Sequence, residues 1–390
     1  MSKADSLSQV VDFVRAARAD KAPFEIVSGG TRRKVGRPPL GINGGDLPLL
    51  DVSGLTGILK YEPEELIVTA APATPLAEIN AVLAEKNQRL GFDPADWSKL
   101  LKSNGVATLA GARGTLGGAA SCDASGSGKL RHGGPRDSLL GFQAVNGLGE
   151  SFRGGSKVVK NVTGFDLPKL MCGAYGTLSV LTEMTFRVYP KPQHAAVLCL
   201  ANATPEEGFA ALRKIAHSPL EPVGLAYLPT NMMNDVGQGA ALIKLEGARQ
   251  PLEEKIALAH GLLGDAMRRV EEDPFPAIGS GEKFADLAGD VWRVMVAPSD
   301  APHVAKQLNA RHWLGDWAGG VIWLAAAPTE VARIRKLAAD AKGQAMLLRA
   351  SPESRALHGL YAQQPPALAA LNRAVKAAFD PLSLFNPARL

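Results

Sequence analysis

Glycine sets the tightest constraint on this chain. Between residues 91 and 134 the sequence is rich in Gly, Ala and Ser and has little regular periodicity. Roughly forty such residues are too many for a loop in a compact domain unless they serve a ligand. The chain holds 41 glycines and 27 prolines in 390 residues, without a Gly-X-Y period or a solenoid period. Tight turns and backbone-lined loops are therefore expected, not a collagen-like or repeat architecture. With 46% apolar and 21% charged residues the chain is globular and long enough for a sizeable core. At roughly 100–200 residues per domain it should form two or three domains.

Three cysteines (Cys122, Cys172, Cys199) make neither a C-x-x-C pair nor a disulfide framework, which fits a reducing, cytoplasmic setting. No apolar stretch of a secretory leader follows Met1. The charge-free apolar run at 318–328 is far short of the ~20 residues of a membrane helix. The net charge is +5, and the first 190 residues hold 22 basic and 18 acidic side chains. Arg32, Arg33, Lys34 and Arg37 form one basic cluster; Lys129, Arg131, Arg136, Arg153, Lys157 and Lys160 form another. Such a surface attracts nucleic acid, an anionic membrane or a phosphate-bearing ligand. No aromatic residues alternate with these charges as a nucleic-acid stacking platform requires. The seven histidines are scattered, with no i, i+4 pair, so no metal is expected.

Apolar residues at 7, 10, 11, 14 and 17 predict an amphipathic helix over 7–19. Residues 24–27 read as a strand ending at Ser28-Gly29-Gly30-Thr31, and 49–52 as another. Pro63-Glu64-Glu65 predicts a hairpin between 57–60 and 66–70. Thr74-Pro75 reads as a helix start, with Thr74 as cap. Asn146-Gly147 predicts a hairpin, 166–171 a helical turn or two, and 177–189 a long strand broken by Pro190 and Pro192. Beyond it, strand-like runs (196–200, 241–245, 291–297, 321–326) alternate with helical runs (205–217, 252–271, 301–309, 329–342), as in a small α+β domain. Residues 367–379 read as a final helix. Trp292, Trp313, Trp317 and Trp323 are either core of the second domain or a patch for a partner subunit.

Three stretches carry chemistry. Ser28-Gly29-Gly30-Thr31-Arg32-Arg33-Lys34 follows a strand, and its glycines let backbone N–H groups approach a phosphate. It lacks the Lys-Ser/Thr of a P-loop and the G-x-G-x-x-G spacing, and a tight surface turn reads equally well. Residues 114–126, with Thr115, Gly117, Gly118, Ser125 and Gly126, either let something flat lie on bare backbone or mark a close helix contact; Arg131-His132 follow. The third stretch is Lys160-Asn161-Val162-Thr163-Gly164-Phe165-Asp166, then Gly173-Ala174-Tyr175-Gly176-Thr177, which feeds the strand holding Val180.

In this order the three stretches resemble the FAD-binding domain of vanillyl-alcohol-oxidase (PCMH-type) flavoproteins, over residues of about 20–190. The resemblance returns at Phe379-Asp380-Pro381-Leu382-Ser383-Leu384-Phe385-Asn386-Pro387. Within that family, 160–166 and 175–183 are most similar to the FAD-binding subunits of bacterial glycolate oxidase. Ala73, Ser383 and Ala388 stand where relatives carry Gly. The resemblance implies an α+β fold: a two-lobed FAD-binding domain over 1–190, a small α+β cap over 191–345, and a C-terminal segment, 346–390, returning to the flavin domain.

The resemblance also implies the site. Backbone N–H groups of Gly29, Gly30 and Thr31, with Arg32 beside them, would hold the FAD diphosphate. Thr115, Gly117, Gly118, Ser125 and Gly126 would line the cofactor further along. Gly176 and the backbone around Val180 would meet the adenine end, and Asn386 the flavin ring. Arg131, His132 and Lys160 either face the cofactor or substrate, with Lys160 the catalytic candidate, or are solvated or ion-paired. The first stretch has no His for a histidyl link, so FAD should be non-covalent; Cys122 is either a buried thiol or a cysteinyl attachment point. The implied activity is oxidation of glycolate, a small 2-hydroxy acid, to glyoxylate in a complex. The implied partners are a catalytic flavoprotein subunit and an iron–sulfur subunit, because this chain lacks the His-rich H-x-G-D-G-N motif of the catalytic relatives and any iron–sulfur cysteine pattern. Membrane contact would be at most peripheral. A stand-alone FAD-dependent 2-hydroxy-acid dehydrogenase of the D-lactate type is the alternative, and a non-enzymatic basic binding module a third reading.

Overall fold

The computed structural model describes residues 2–39, 47–102, 114–156, 164–233, 239–264 and 266–390. The chain forms two compact units. One comprises Met1–Ala124, Gly134–Lys191 and Gln363–Leu390; the other comprises Ser125–Gly133 and Pro192–Ala362.

In the first unit, β1 (Ser2–Lys3), β2 (Glu25–Val27) and β3 (Leu49–Asp51) form a parallel sheet in the order β1-β3-β2. Helix α1 (Leu7–Ala19) covers the range its apolar spacing predicts; Ser6 caps it by accepting from the Gln9 N–H. Val10, Val14 and Ala17 lie on one stripe and pack with Phe24, Leu50, Val180, Leu384 and Phe385. The second sheet contains β4 (Ile58–Glu62), β5 (Ile67–Ala70), β6 (Gln88–Leu90), β7 (Leu139–Val145), β8 (Ser151–Gly155) and β9 (Val180–Pro190). Its order is β4-β5-β9-β7-β8, all antiparallel, with β6 also on β9. Both predicted hairpins form. At the second, Asn146 Oδ1 accepts from the N–H groups of Leu148 and Glu150.

Helix α2 (Leu76–Glu85) starts where expected, but Thr74 does not cap it. The Thr74 hydroxyl instead donates to the Ala71 and Gly57 carbonyls and accepts from Gly57 N–H. It ties two turns together, and the Leu76 N–H finds its partner at the Gly114 carbonyl. Within the Gly-rich stretch lies a short helix, α3 (Leu116–Ser121), with Thr115 as N-cap. Residues 363–390 supply the helix Pro366–Phe379 and then a segment in which Phe385 bridges Phe24 in parallel, beside β2.

The second unit is built on an eight-stranded sheet whose strands pair antiparallel among the described residues. It is built twice over. β10 (His194–Leu200), α4 (Pro205–Ala216), β11 (Gly224–Leu228), β12 (Ala240–Gly247), α5 (Arg249–Leu263) and β13 (Met267–Val270) form one βαββαβ half. β14 (Asp290–Met295), α6 (Ala301–Leu308), β15 (His312–Asp316), β16 (Val321–Ala326), α7 (Val331–Asp340) and β17 (Gln344–Arg349) form the other. The order β13-β10-β12-β11-β15-β16-β14-β17 repeats one topology from each edge, and the halves meet where Tyr227 of β11 opposes Gly315 of β15. β17 pairs with β14, so residues 346–362 lie with this unit and not with the C-terminal segment. The helical run expected over 252–271 stops at Leu263, where Gly264 turns with φ +87° and β13 begins. Trp292 and Trp323 are fully buried, and Trp313 stacks on Phe209 and Tyr227, so these tryptophans are core.

Candidate functional site

The first unit contains an open cleft. One wall is the end of β2 and the turn after it, through Arg33; the facing wall is Thr115, Gly117, Gly118, Ser121 and Cys122 on α3 and its flanks. Tyr175, Gly176, Ser179 and Leu181 close one end, and Asn386 and Arg389 come from the far end of the chain.

Glycine makes the walls close. A Cβ on Gly29 would lie 3.1 Å from Thr115 Cγ2, and one on Gly117 would lie 2.7 Å from Pro72 Cβ. Gly30 turns with φ +72°, a conformation that L side chains rarely adopt. The two walls are also bonded: Ser28 Oγ and Thr115 Oγ1 are 3.1 Å apart, and Thr115 Oγ1 accepts from Gly118 N–H.

Arg32 gives the cleft its chemical character. Its side chain is 7% exposed, its Nη2 donates to the Ala95 carbonyl at 2.5 Å, and its guanidinium lies 5.5 Å from the Trp97 ring centroid. Among the described residues, its Nε and Nη1 have no hydrogen-bond partner. Nη1 lies 3.2 Å from where a Cβ on Gly118 would be, so it faces the first turn of α3. A buried guanidinium with two unused donors is costly unless an anion accepts from it. A phosphate group suits this arrangement, because it takes several charge-assisted bonds from Arg and backbone N–H groups together.

Behind the turn lies a second charged cluster. Glu25 is 2% exposed; it accepts from Arg33 Nη2 at 2.6 Å and Nε at 3.1 Å, and from Arg389 Nη1 at 3.1 Å. Asn386 is saturated as well. Its Oδ1 accepts from Ile26 N–H at 2.8 Å, and its Nδ2 donates to the carbonyls of Tyr175 at 2.8 Å and Gly176 at 3.3 Å. Its backbone sits in the left-handed region, φ +42°, which Asn tolerates better than most residues.

Gly30, Thr31, Arg32, Thr115, Gly117, Gly118, Gly176 and Asn386 thus converge on one cleft, with Gly29 packed against its rim. Val180 does not line it. Strand alternation turns Val180 into the core beside Phe24, while its neighbours Ser179 and Leu181 face the cleft. Ser125, Gly126 and Arg131 belong to the second unit. There the Gly126 carbonyl accepts from Trp317 Nε1 at 3.1 Å, and Arg131 pairs with Glu221 at 2.7 Å. His132 Nε2 lies 3.8 Å from Glu246. Lys160 lies outside the described residues. Glu25, Tyr175 and Arg389 were not singled out from the sequence. A lone Glu within a strand and an Arg near residue 390 give no local signal, because their meaning arises only when the two meet.

Desolvation pushes the Cys122 thiol up from its ordinary value, against the pull of Arg32 and Arg389, so at neutral pH it is a thiol and not a nucleophilic thiolate. Among the described residues no group of three or more His, Cys, Asp or Glu could hold a metal ion, and no helix is long and apolar enough to cross a membrane.

Residues 2–155 match the family described as FAD binding domain. The chain is 30% identical to the glycolate oxidase subunit GlcE of Escherichia coli, covering 100% of this chain and 99% of that protein. It is 26% identical to a D-lactate dehydrogenase of Anaerostipes hadrus, over 60% of this chain and 45% of that one. Among solved structures, p-cresol methylhydroxylase with substrate bound superimposes with a TM-score of 0.69 at 15% identity, covering 99% of this chain and 87% of that one; this likeness speaks to the fold.

Proposed function

Since this chain belongs to the FAD-dependent oxidoreductase family of the glycolate oxidase subunit GlcE, we propose that its cleft binds the FAD diphosphate and that the protein is the FAD-binding subunit of a complex oxidising glycolate to glyoxylate. The observation that carries the reading is Arg32, whose buried Nε and Nη1 lack acceptors in a glycine-walled cleft. Backbone N–H groups of Gly29, Gly30 and Thr31 would join it on the diphosphate. Thr115, Gly117 and Gly118 would support the cofactor from α3, and Gly176 with the main chain around Val180 would meet its far end.

Bound FAD supplies the two-electron redox chemistry, while the protein binds, orients and shields it. Asn386 holds the β2 end against the Tyr175-Gly176 turn, which keeps the cleft's width fixed. The cofactor is held without a covalent bond in this reading, since the Cys122 thiol is protonated at neutral pH and the turn after β2 has no His. The unit of residues 1–124, 134–191 and 363–390 would be the flavin domain, its last stretch being the segment that returns to the flavin, and the unit of 125–133 and 192–362 would be the cap.

The likeness to a protein named as a glycolate oxidase subunit favours partners: a catalytic flavoprotein subunit and a separate iron–sulfur subunit. Cys122, Cys172 and Cys199 have no cluster spacing, so the electron relay would lie in the latter. The complex would be cytoplasmic, with at most peripheral membrane contact.

The likeness to a D-lactate dehydrogenase favours a second reading, a stand-alone 2-hydroxy-acid dehydrogenase. One experiment separates the two. The chain is purified alone and with copurifying subunits, its flavin spectrum is recorded, and glycolate or D-lactate is offered with an artificial acceptor. Glycolate turnover only by the assembled complex supports the first reading, and D-lactate turnover by the isolated chain supports the second. A colourless protein that takes up no FAD defeats both.

A further inference from the structure

The turn that carries Arg32 is fastened from behind by a residue 364 positions from Glu25. Arg389 Nη2 donates to the carbonyls of Arg32 at 3.1 Å and Arg33 at 2.9 Å, and its Nη1 donates to Glu25 at 3.1 Å. Its own carbonyl accepts from Arg37 N–H at 3.0 Å. Gly36, at φ +76°, runs so close that a Cβ there would lie 2.5 Å from the same carbonyl. Arg389 is therefore threaded into residues 32–37 and bonded on both sides.

The charges divide the labour. Glu25 takes bonds from both Arg33 and Arg389, so the Arg389 cation is already answered by a buried carboxylate. Among the described residues Arg32 has no such carboxylate, and it keeps two unused donors in the cleft. A planar guanidinium suits the first role because it can serve a carboxylate and two carbonyls from one rigid fork, which an ammonium cannot.

We propose that Arg389 is a positioning residue for the cofactor: held by Glu25, it fixes the peptide groups at 32 and 33 so that the turn already has its diphosphate-binding shape before the ligand arrives. This rests on the reading of the cleft as the FAD site. Pre-forming a loop raises affinity by removing the ordering cost from the binding step.

The test measures the FAD dissociation constant of the apoprotein, by flavin fluorescence, for wild type, Arg389→Ala, Arg389→Lys and Arg32→Ala, with the apoprotein melting curve of each. Arg389→Ala should weaken FAD about 10-fold, and Arg32→Ala by at least as much. Arg389→Lys should fall between Arg389→Ala and wild type, because an ammonium restores part of the fork. If Arg32→Ala weakens FAD while both Arg389 variants bind as wild type, the cleft stands and the positioning role falls. If none of the three changes affinity, the cleft reading falls too. A lysine variant no better than alanine, with the apoprotein melt lowered equally in both, reduces Arg389 to a packing residue and overturns the inference. Should Arg389→Ala fail to fold, Arg389→Lys decides, and wild-type affinity in it is a refutation.

Discussion

The Asn386 side-chain amide donates to the Tyr175 carbonyl at 2.8 Å, across 211 positions of the chain. Both residues sit in the left-handed backbone region, with φ of +42° and +53°. The bond ties the Tyr175-Gly176 turn to the end of β2, and it makes Asn386 a fastener of three main-chain groups.

Asn386→Ala should lower the unfolding free energy by about 3 kcal/mol, because it strands the Ile26 N–H and two carbonyls, and an unsatisfied buried group costs ~1–3 kcal/mol. Asn386→Asp keeps the acceptor for Ile26 but sets a buried carboxylate oxygen against the Tyr175 and Gly176 carbonyls, so it should destabilise at least as much. Denaturant melts of the apoprotein measure this; an alanine variant as stable as wild type would mean the amide bonds are dispensable.

Two glycines should respond to alanine in opposite directions. At Gly117 the added Cβ meets Pro72 Cβ at 2.7 Å and the Pro72 carbonyl at 2.9 Å, so Gly117→Ala should destabilise by about 1–3 kcal/mol. At Gly261, inside α5, a Cβ meets nothing within 4 Å. Gly261→Ala should stabilise by about 0.5–1 kcal/mol through helix propensity alone. Thermal midpoints of the two variants moving the same way would contradict this account of the cleft wall.

Acid precipitation should release the flavin into the supernatant from Cys122→Ser and from wild type alike, since no bond to sulfur is expected. The raised thiol also fixes a pH dependence. Only thiolate alkylates, so iodoacetamide labelling of folded Cys122 should stay slow through pH 8 and accelerate only above pH 9, the ordinary thiol value. The same shift carries a stability consequence with a definite sign: a thiol raised on folding favours the folded state below pH 9, and that contribution disappears as pH rises through the folded value. Rapid labelling of Cys122 at pH 7 would refute the assignment.

Asp380 is fully buried and accepts from Lys376 Nζ at 2.5 Å and from the N–H groups of Leu384 and Phe385. Asp380→Ala leaves the Leu384 and Phe385 N–H groups unanswered and takes the carboxylate from the Lys376 ammonium, which keeps only the Thr177 and Phe385 carbonyls, and should cost about 3–5 kcal/mol. Lys376→Met should cost less, because burial already holds the Lys376 ammonium below its ordinary value and the swap removes that penalty. Equal losses in the two variants would show that the pair acts only through its charges.

Local signals in the sequence were enough for individual elements. Val10, Val14 and Ala17 mark α1 to the residue, and Asn146-Gly147 marks its hairpin, because both depend on neighbours within a turn or two. The convergence of Gly30, Thr115, Gly118 and Gly176 was legible through a family resemblance, since small residues alone carry no address. Thr74 misled because its hydroxyl had a second, equally short route to satisfaction at Ala71 and Gly57. The doubled βαββαβ plan of the second unit was not legible. Its edge strand β13 reads Met-Arg-Arg-Val and buries little, and only the strand order exposes the repeat. Glu25 and Arg389 could not be paired by reasoning from residues, as 364 positions separate them.

Because Phe385 bridges Phe24 and Arg389 closes on Glu25, the earliest and latest parts of the chain complete each other. Biosynthesis meets this as a timing problem. While the ribosome is still adding residues, β2 and its turn are translated but lack the segment that seals them, and Phe24, Leu50 and Val52 wait without Leu384 and Phe385. The cleft wall at β2 can therefore settle only once residues 384–389 have been made and have docked on it, late in the order of synthesis.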